Sequence, residues 1–210
     1  EDNRPNSVGV EGKTGGRSAP TVWNAAFQSV QFWDGRAASL EDQAGGPMLA
    51  DVEMGMSSHD MVMDRIKKIP GYVEQFKAVY GGEEPVNIDN TTKAIAAFER
   101  TLITPNSPLD KYLAGDENAL SEQEKKGLQT FTDTGCVVCH NGVNLSGPAL
   151  ETGKGFFQKF PTFADNDYEK KYNFSADKGL AGVTKNDTDT NMFRVPTLRN
   201  IALTAPYFHN

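Results

Sequence analysis

Apolar side chains recur at the spacing of an amphipathic helix through the middle of the chain. Three such stripes follow one another: Val62, Ile66 and Ile69 behind Ser57-Ser58; Val73, Phe76 and Tyr80 between Pro70 and Gly81; and Ile88, Ile95, Phe98 and Leu102 ahead of Pro105. Serine caps the start of a helix, proline fits its first turn, and glycine or proline ends it. The pattern therefore predicts three consecutive helices within residues 57–105.

Helical signals also occur on both sides of this region. Ser39 can cap a short helix, which Gly45-Gly46-Pro47 is expected to end. The tetrad Ser121-Glu122-Gln123-Glu124 is a capping box, and Leu128 and Phe131 supply the buried face of the helix that follows it. This helix runs directly into the first cysteine of the chain.

Two stretches lack helical spacing. The first 20 residues are rich in Gly, Asn, Ser and Pro and predict an extended loop. Residues 141–190 combine Gly, Asn, Asp and Lys with many aromatic residues, and we interpret them as a long loop held by buried aromatics. A short helix is predicted beyond it, from Pro196 to Leu203. Because no segment alternates polar and apolar residues over the length of a strand, the predicted fold class is all-α.

Composition excludes several classes of protein. The 210 residues carry a net charge of −7, whereas nucleic acid is bound by a basic surface. The longest unbroken apolar run, Ala94 to Phe98, has five residues, far fewer than the roughly 20 that span a bilayer. Glu1 to Arg4 precede no apolar stretch of the kind found in a signal peptide. The length of 210 residues suits one large domain or two small ones.

Cysteine and histidine are scarce, so their placement decides the candidate chemistry. The chain has two cysteines and three histidines, and both cysteines fall in Cys136-Val137-Val138-Cys139-His140. This is the attachment signature of haem c. One turn places both thiols beside the two vinyl groups of one porphyrin, and the adjacent histidine reaches the iron. A redox dithiol would need a βαβ context, and a zinc site would need two further ligands with paired spacing.

The motif therefore predicts haem c attached through Cys136 and Cys139, with His140 as the proximal ligand of the iron. Covalent haem attachment further implies an exported, periplasmic protein. The sixth iron ligand stays open among methionine and histidine side chains: Met192, Met48, Met54, Met56, His59 and His209. Methionine in an apolar stretch is more often packed in a core than bound to a metal. His59, among helix-start residues, is expected at the surface.

Four longer motifs resemble those of one protein family. They are Arg17-Ser-Ala-Pro-Thr-Val-Trp-Asn-Ala-Ala-Phe27, Gln31-Phe-Trp-Asp-Gly-Arg-Ala-Ala38, Thr101-Leu-Ile-Thr-Pro-Asn-Ser-Pro-Leu109 and Leu198-Arg-Asn-Ile-Ala-Leu-Thr-Ala-Pro-Tyr-Phe-His209. With the haem motif they cover essentially the whole chain, which resembles bacterial di-haem cytochrome c peroxidase. The resemblance implies two cytochrome c-like helical domains with one haem c each. Residues 1–104 would belong to the domain of the amino-terminal, peroxidatic haem, and residues 105–210 to the electron-transfer haem domain.

The resemblance also assigns expected roles to individual residues. Cys136, Cys139 and His140 match the residues that hold the electron-transfer haem, and Trp33 matches a tryptophan between the two haems. Gln43 and Glu53 match residues over the peroxidatic iron. Thr204 and Pro206 match positions whose carbonyls bind an interdomain calcium. Glu53 would move a proton between the two peroxide oxygens. Its neighbours Met48, Leu49, Val52 and Met54 are expected to desolvate it.

The chain departs from the family pattern in several places. Only one Cys-x-x-Cys-His is present, so the attachment site of the peroxidatic haem is expected upstream of Glu1. A methionine ligand of the electron-transfer haem is expected downstream of Asn210. Many members carry a histidine that blocks the peroxidatic iron until the other haem is reduced, and Val10 occupies that position. Ser18 stands where an asparagine often helps to hold the calcium. From Val10 we hypothesise an open peroxidatic haem that needs no reductive activation.

The function implied by the resemblance is reduction of hydrogen peroxide to water, with electrons from a small redox protein such as cytochrome c or a cupredoxin. A homodimer is a further expectation, with no membrane span and no nucleic-acid partner. One alternative is an electron-transfer cytochrome c. Another is a related di-haem enzyme that oxidises a protein substrate, as the methylamine dehydrogenase maturation enzyme does. The number of haems in the intact mass distinguishes an electron-transfer cytochrome from a di-haem peroxidase. A tyrosine as sixth ligand in place of methionine distinguishes the protein-oxidising enzyme from a peroxidase.

Overall fold

The computed structural model describes residues 4–163 and 165–209. Eight α-helices follow one another in them: α1 (Leu40–Leu49), α2 (His59–Lys67), α3 (Pro70–Tyr80), α4 (Ile88–Glu99), α5 (Pro108–Leu113), α6 (Glu122–Asp133), α7 (Asp167–Tyr172) and α8 (Ala181–Thr184). Two strands, β1 (Phe157–Lys159) and β2 (Met192–Arg194), pair with each other. Single 3₁₀ turns occupy Val10–Gly12, Ala25–Phe27, Cys136–Val138, Phe174–Ala176, Asp187–Asp189 and Ile201–Leu203.

Helices α1 to α4 pack together and bury the predicted apolar stripes. Helix α1 lies against α4 and α2, and α2 lies against α3. The core comprises Met48, Val62, Met63 and Val86, with Met56, Ile66, Val73, Phe76, Ile88 and Ile95 packed against it. Each such side chain stabilises the fold by about 1.5–3 kcal/mol when fully buried. The prediction of three consecutive helices is confirmed, and Met48 and Met56 are core side chains.

The predicted helix starts at Ser39 and Ser121 are also confirmed. Ser39 Oγ accepts the N–H of Asp42 at 3.1 Å. Ser121 Oγ accepts the N–H of Glu124 at 3.3 Å, while the Glu124 carboxylate accepts the N–H of Ser121 at 2.8 Å. Each cap satisfies N–H groups that have no partner inside their helix. The opening loop predicted for residues 1–20 is irregular apart from one 3₁₀ turn and a single bridge between Val8 and Thr14, and residues 1–3 lie outside the described residues.

Helix α1 passes through the residues predicted to end it. Pro47 lies inside α1, which continues to Leu49, so this boundary was wrong. Proline removes one N–H donor and crowds the preceding turn, but the packing of α1 on α4 outweighs this cost in the last turn. The His59 ring lies against this turn, with Nε2 2.9 Å from the Gly45 carbonyl oxygen. His59 is therefore half-buried, not at the surface as expected.

Helix α4 ends earlier than predicted. It stops at Glu99, well before Pro105, and Phe98 is 64% exposed. Leu102 lies beyond the helix because its carbonyl accepts the N–H of Asn24 at 2.8 Å. The side chain of Asn24, only 1% exposed, bonds Thr104 through both its oxygen and its nitrogen. Long-range hydrogen bonds thus draw the chain out of the helix.

The all-α prediction is confirmed only in part, because β1 and β2 form a small antiparallel sheet. Phe157 pairs with Arg194, Gln158 with Phe193 and Lys159 with Met192. Each strand has three residues, too few for alternation to be recognised in the sequence. Phe193 and Arg194 are buried, so β2 belongs to the interior of the carboxy-terminal half.

The helix predicted from Pro196 to Leu203 is reduced to a single turn at Ile201–Leu203. The preceding residues are held extended by distant partners. Thr197 Oγ1 donates to the carbonyl of Asn144 at 2.7 Å. The guanidinium of Arg199 holds both carboxylate oxygens of Asp110, at 2.6 and 3.0 Å. These contacts tie the chain segment after β2 to α5 and to the long loop.

Aromatic side chains organise part of the region 141–190, as predicted. The ring centroids of Phe160 and Phe174 lie 5.0 Å apart, and those of Phe160 and Phe208 also lie 5.0 Å apart. Phe163 and Tyr168 remain exposed. The region is less irregular than expected, since it contains β1, α7 and α8. No helix within residues 4–163 or 165–209 combines the length and apolar character of a membrane span.

Candidate functional site

The segment from Cys136 to His140 forms one tight turn after α6. Gly135 enters it with φ of 84°, a left-handed conformation that favours glycine. The carbonyl of Cys136 then accepts the N–H of Cys139 at 3.3 Å and that of His140 at 2.9 Å. Both thiols are free. The local hydrogen bonds therefore bring the two thiols and the imidazole onto one turn, as the motif predicts.

The loop after this turn orients the imidazole of His140. Its Nδ1 lies 3.0 Å from the carbonyl oxygen of Leu145. Because a carbonyl only accepts, Nδ1 carries the proton and Nε2 keeps its lone pair. Histidines that bind metals are usually oriented by such a second hydrogen bond. The donor set of two free thiols and one oriented imidazole nitrogen fits haem c.

These groups line a cavity of about 590 Å³, which we call the Cys136 cavity. Ligand pockets commonly measure about 300–1,000 Å³. Its wall is largely apolar and includes Phe193, Val195 and Leu198 beside Cys136, Cys139 and His140. Among the described residues, two cations, Lys159 and Arg194, contribute to the wall, and no aspartate or glutamate does. The cavity thus offers an apolar, electropositive space beside the attachment motif.

A second cavity, of about 770 Å³, lies in the amino-terminal half, and we call it the Glu53 cavity. Gln43 reaches it from α1, and Glu53 reaches it from the turn after α1. Pro47, Val52 and Glu99 also belong to its wall. The structure therefore brings together Gln43 and Glu53, which the resemblance places over the peroxidatic iron.

Trp33 lines both cavities. Its indole N–H donates to the carbonyl of Ser18 at 2.8 Å, and its own carbonyl accepts the N–H of Arg194 at 2.8 Å. A ring fixed at both its indole and its backbone is rigidly placed in the wall between the two spaces. The role of Trp33 between two haems stays a prediction, and its place in both cavity walls is the observation that bears on it.

Glu53 is exposed, so the expected desolvation by its neighbours is wrong for this structure. The continuation of α1 to Leu49 directs Met48 into the core, while Leu49 and Met54 are themselves exposed. The backbone of Glu53 is nevertheless well fixed: its carbonyl accepts the N–H of Val10 at 2.8 Å.

Val10 thus lies directly against the turn that carries Glu53. The preceding Gly9 allows this approach, since a Cβ on Gly9 would stand 2.1 Å from the carbonyl oxygen of Val52. A side chain of Val10 also meets Gly55, whose added Cβ would be 2.8 Å from Val10 Cγ2. The position at which the family often has a blocking histidine is therefore beside the Glu53 cavity and is filled by an aliphatic side chain.

Two ionisable residues in the cavity walls gave no signal in the sequence. Glu99 ends α4 in the Glu53 cavity; burial raises the pKa of its carboxyl, and its Oε2 has no hydrogen-bond partner. Arg194 ends β2 in the Cys136 cavity, where burial lowers the pKa of its guanidinium to about 10. Neither lies in a spacing that marks a site, and only the tertiary fold brings them to the cavities.

Among the candidate sixth ligands, His209 lines the Cys136 cavity, and the five other side chains are not in its described wall. His209 is 1% exposed and stacks on Phe193 at 4.2 Å between ring centroids. Burial lowers its pKa, with Asp177 acting in the opposite direction, and its Nε2 has no hydrogen bond.

The residues matched to a calcium site meet at one end of the Cys136 cavity. Ser18, Thr204 and Pro206 all line it, and the Ser18 N–H donates to the carbonyl of His209 at 2.9 Å. Carbonyl and hydroxyl oxygens are ligands that calcium accepts. No cluster of three His, Cys, Asp or Glu residues suited to a metal occurs in the parts of the chain that the structure describes.

A family model described as di-haem cytochrome c peroxidase matches residues 1–118. The chain is also 47% identical, over 210 residues, to cytochrome c551 peroxidase of Pseudomonas aeruginosa. The chain belongs to the di-haem cytochrome c peroxidase family. It is 47% identical over 208 residues to cytochrome c peroxidase of Escherichia coli, and 34% identical over 195 residues to the methylamine utilization protein MauG of Methylorubrum extorquens.

Solved structures share the fold of this chain. A MauG-like protein associated with microbial copper homeostasis superposes with a TM-score of 0.80 at 28% identity, over 99% of this chain and 62% of that chain. The fold is also that of the diheme peroxidase BthA from Burkholderia thailandensis, with a TM-score of 0.74 over 98% of this chain and 57% of that chain. The chain covers 42% of the Escherichia coli relative, 58% of the Pseudomonas aeruginosa relative and 51% of the Methylorubrum extorquens relative.

Proposed function

We propose that the intact protein is a periplasmic di-haem c peroxidase that reduces hydrogen peroxide to water. Overall, one peroxide, two electrons and two protons yield two waters. The electrons come from a small donor protein, a cytochrome c or a cupredoxin. The observation that carries this proposal is the position of Trp33 in the walls of both the Cys136 cavity and the Glu53 cavity.

In the Cys136 cavity, the thiols of Cys136 and Cys139 attach a haem and His140 Nε2 binds its iron. Haem supplies the redox chemistry when bound. The chain's own contribution is orientation: the Leu145 carbonyl fixes the tautomer of His140, and the apolar wall excludes water. The net charge of −7 favours the approach of a basic donor, an attraction that added salt weakens.

In the Glu53 cavity, Gln43 and Glu53 act on the peroxide. When a haem is bound there, the Glu53 carboxylate would take a proton from one peroxide oxygen and give it to the other, which would leave as water; two electrons from the donor protein and two further protons would convert the remaining oxygen to the second water. Gln43 orients the peroxide with its amide, which both donates and accepts hydrogen bonds. No cysteine or histidine of the described residues lines this cavity, so the part of this chain in the proposed site is Gln43 and Glu53 and not the attachment of a haem.

Trp33 passes electrons from the Cys136 cavity to the Glu53 cavity. The two hydrogen bonds that hold it, to Ser18 and from Arg194, keep the indole in one orientation between the cavities. Residues 1–104 belong to the peroxidatic domain and residues 105–210 to the electron-transfer domain. A calcium ion held by the carbonyls of Thr204 and Pro206 stabilises their junction, and the protein forms a homodimer.

The test is peroxide-dependent oxidation of a reduced cytochrome c by the full-length holoprotein. Glu53→Gln should lower turnover by about 100-fold or more, the usual contribution of general acid–base catalysis. Asp51→Asn is the matched control, since Asp51 is an exposed carboxylate in the same turn; it should keep its activity.

Other outcomes separate the alternative functions. Equal activity of Glu53→Gln and the native protein would contradict the proposed proton transfer by Glu53. A single haem in the intact full-length mass would favour an electron-transfer cytochrome c. A tyrosine ligand at the electron-transfer haem, with peroxide-dependent oxidation of a protein substrate, would favour the protein-oxidising enzyme.

A further inference from the structure

Arg194 is a buried cation without an anionic partner in the described residues. Arg194 is 6% exposed. Its Nε donates to the carbonyl of Phe32 at 3.1 Å, and its Nη1 donates to the carbonyl of Val195 at 3.4 Å. No carboxylate of residues 4–163 or 165–209 contributes to the pKa of the guanidinium, and Nη2 takes part in neither of these two hydrogen bonds.

Other partly buried arginines of this protein behave differently. Arg17 holds the carboxylates of Asp34 and Asp177, and Arg199 holds that of Asp110. An ion removed from water is costly unless a counter-charge and hydrogen bonds compensate it. The lowered pKa of Arg194, caused by burial alone, is the sign that such compensation does not come from the chain.

The missing anion belongs in the Cys136 cavity. Arg194 lines this cavity, and no described aspartate or glutamate does so, although the chain as a whole carries a charge of −7. Lys159 adds a second positive charge to the same wall. A guanidinium prefers planar, bidentate anions such as carboxylates. A ligand with a carboxylate would supply the counter-charge that the described wall lacks.

We propose that Arg194 binds a propionate carboxylate of the haem attached at Cys136 and Cys139, and that this ion pair raises the midpoint potential of that haem. The inference rests on the proposed function, since it takes the haem of the Cys136 cavity as the ligand. A cation paired with the propionate cancels negative charge that would otherwise stabilise the ferric iron.

The backbone of Arg194 gives this contact a second consequence. Its N–H donates to the carbonyl of Trp33 at 2.8 Å, and its side chain bonds the carbonyl of Phe32, the residue before. The carboxylate would therefore be anchored to the same short segment that places the indole between the two cavities. Arg194 is thus a positioning residue for the electron path as well as a determinant of the potential.

The experiment compares Arg194→Gln with Lys159→Gln in the full-length holoprotein. Glutamine keeps an N–H donor for the Phe32 carbonyl but removes the charge. Lys159→Gln removes the same charge from an exposed position in the same wall. The measurements are covalent haem content, from the absorbance of the pyridine haemochromogen, and the midpoint potential, from spectroelectrochemical titration.

We expect Arg194→Gln to keep its covalent haem and to shift the midpoint potential of the electron-transfer haem to a more negative value. At a fixed ambient potential, the ferric-to-ferrous ratio should rise by about tenfold. Lys159→Gln should change this ratio by less than about twofold because solvent screens an exposed charge. Arg194→Lys, which restores the charge without the bidentate geometry, should lie between Arg194→Gln and the native protein.

An unchanged potential in Arg194→Gln, with native haem content, would overturn the proposal and leave the peroxidase function intact. So would an equal shift in Lys159→Gln. If Arg194→Gln does not fold, Arg194→Met, whose unbranched side chain fills similar space, is judged by the same two measurements. Absence of covalent haem from the native Cys136 and Cys139 would instead contradict the proposed function itself.

Discussion

The guanidinium of Arg17 binds the carboxylate of Asp177 through two parallel hydrogen bonds, of 2.7 Å from Nε and 2.8 Å from Nη2. The same guanidinium donates to Asp34 at 2.5 Å. One residue of the opening loop therefore joins the segment beside Trp33 to the segment before α8. Burial favours the neutral form of Arg17, but the hydrogen bonds and charges of Asp177 and Asp34 outweigh it and raise its pKa.

Loss of one partner of this pair should destabilise the protein. In Asp177→Asn, Arg17 keeps Asp34 but loses a charged, bidentate acceptor, and we expect about 1.5–3 kcal/mol less free energy of unfolding at pH 7. The measurement is equilibrium denaturation of the full-length holoprotein. Asp89→Asn is the control, since it breaks an exposed ion pair with Lys93 and should cost below about 0.5 kcal/mol. Equal effects of the two variants would contradict the structural role of Asp177.

The same pair predicts a pH dependence. Burial raises the pKa of Asp177, but the hydrogen bonds from Arg17 and Gly179 outweigh it and hold the pKa below the usual 3.8. A carboxyl with a lowered folded-state pKa stabilises the fold above its unfolded pKa and loses this contribution as the pH falls through the folded value. The stability difference between native protein and Asp177→Asn should therefore be full at pH 6–7 and shrink below about pH 4. A difference that stays constant down to pH 3 would contradict this.

The contribution of Glu99 to the stability of the fold should change with pH in the opposite direction to that of Asp177. Burial raises its pKa above the usual 4.5, so its ionisation as the pH rises to neutral destabilises the folded state. Glu99→Gln should leave stability unchanged near pH 4 and raise it towards pH 7, by less than about 1 kcal/mol because the carboxyl is partly solvated. Thermal unfolding at both pH values measures this. The control is Glu74→Gln, at an exposed position on α3, which should change stability equally little at each pH.

Trp33 should govern transfer between the two haems. Trp33→Phe keeps an aromatic ring but loses the hydrogen bond to Ser18, and we expect electron transfer to slow by about tenfold, or about 1.4 kcal/mol in the barrier. Stopped-flow reduction of the fully oxidised holoprotein measures it. Trp23→Phe serves as the control because Trp23 lines the Cys136 cavity alone and is 44% exposed. Equal electron-transfer rates in Trp33→Phe and Trp23→Phe would show that Trp33 does not lie on the electron path between the haems.

The presence of Val10 in place of a blocking histidine leads us to expect an enzyme that is active in its oxidised state. The fully oxidised holoprotein should react with peroxide without a lag. Val10→His should introduce a lag that pre-reduction abolishes, because it restores, beside the turn of Glu53, the blocking histidine that many family members carry at this position. Val8→His, two residues away in the same loop and also exposed, should not. A lag in the native protein that pre-reduction removes would contradict the hypothesis.

The local elements and the attachment motif follow from residues that are close together in the sequence. The Ser121 capping box, the stripe of α2 and the Cys136–His140 turn each depend on residues within a few positions of one another, and local hydrogen bonds and spacing suffice to form them. The family resemblance added Gln43, Glu53 and Trp33. All three line the Glu53 cavity, and their roles remain predictions.

Other features depend on partners that are distant in the sequence and become visible in the folded chain. The end of α4 follows from Asn24 binding Leu102 and Thr104, and the passage of α1 through Pro47 follows from its packing on α4. The unpaired charge of Arg194 is likewise invisible in the sequence, where any arginine can be assumed to find an acid or solvent. Burial removes the solvent and the fold brings no carboxylate, and this combination, set by long-range packing, gives the residue its inferred role.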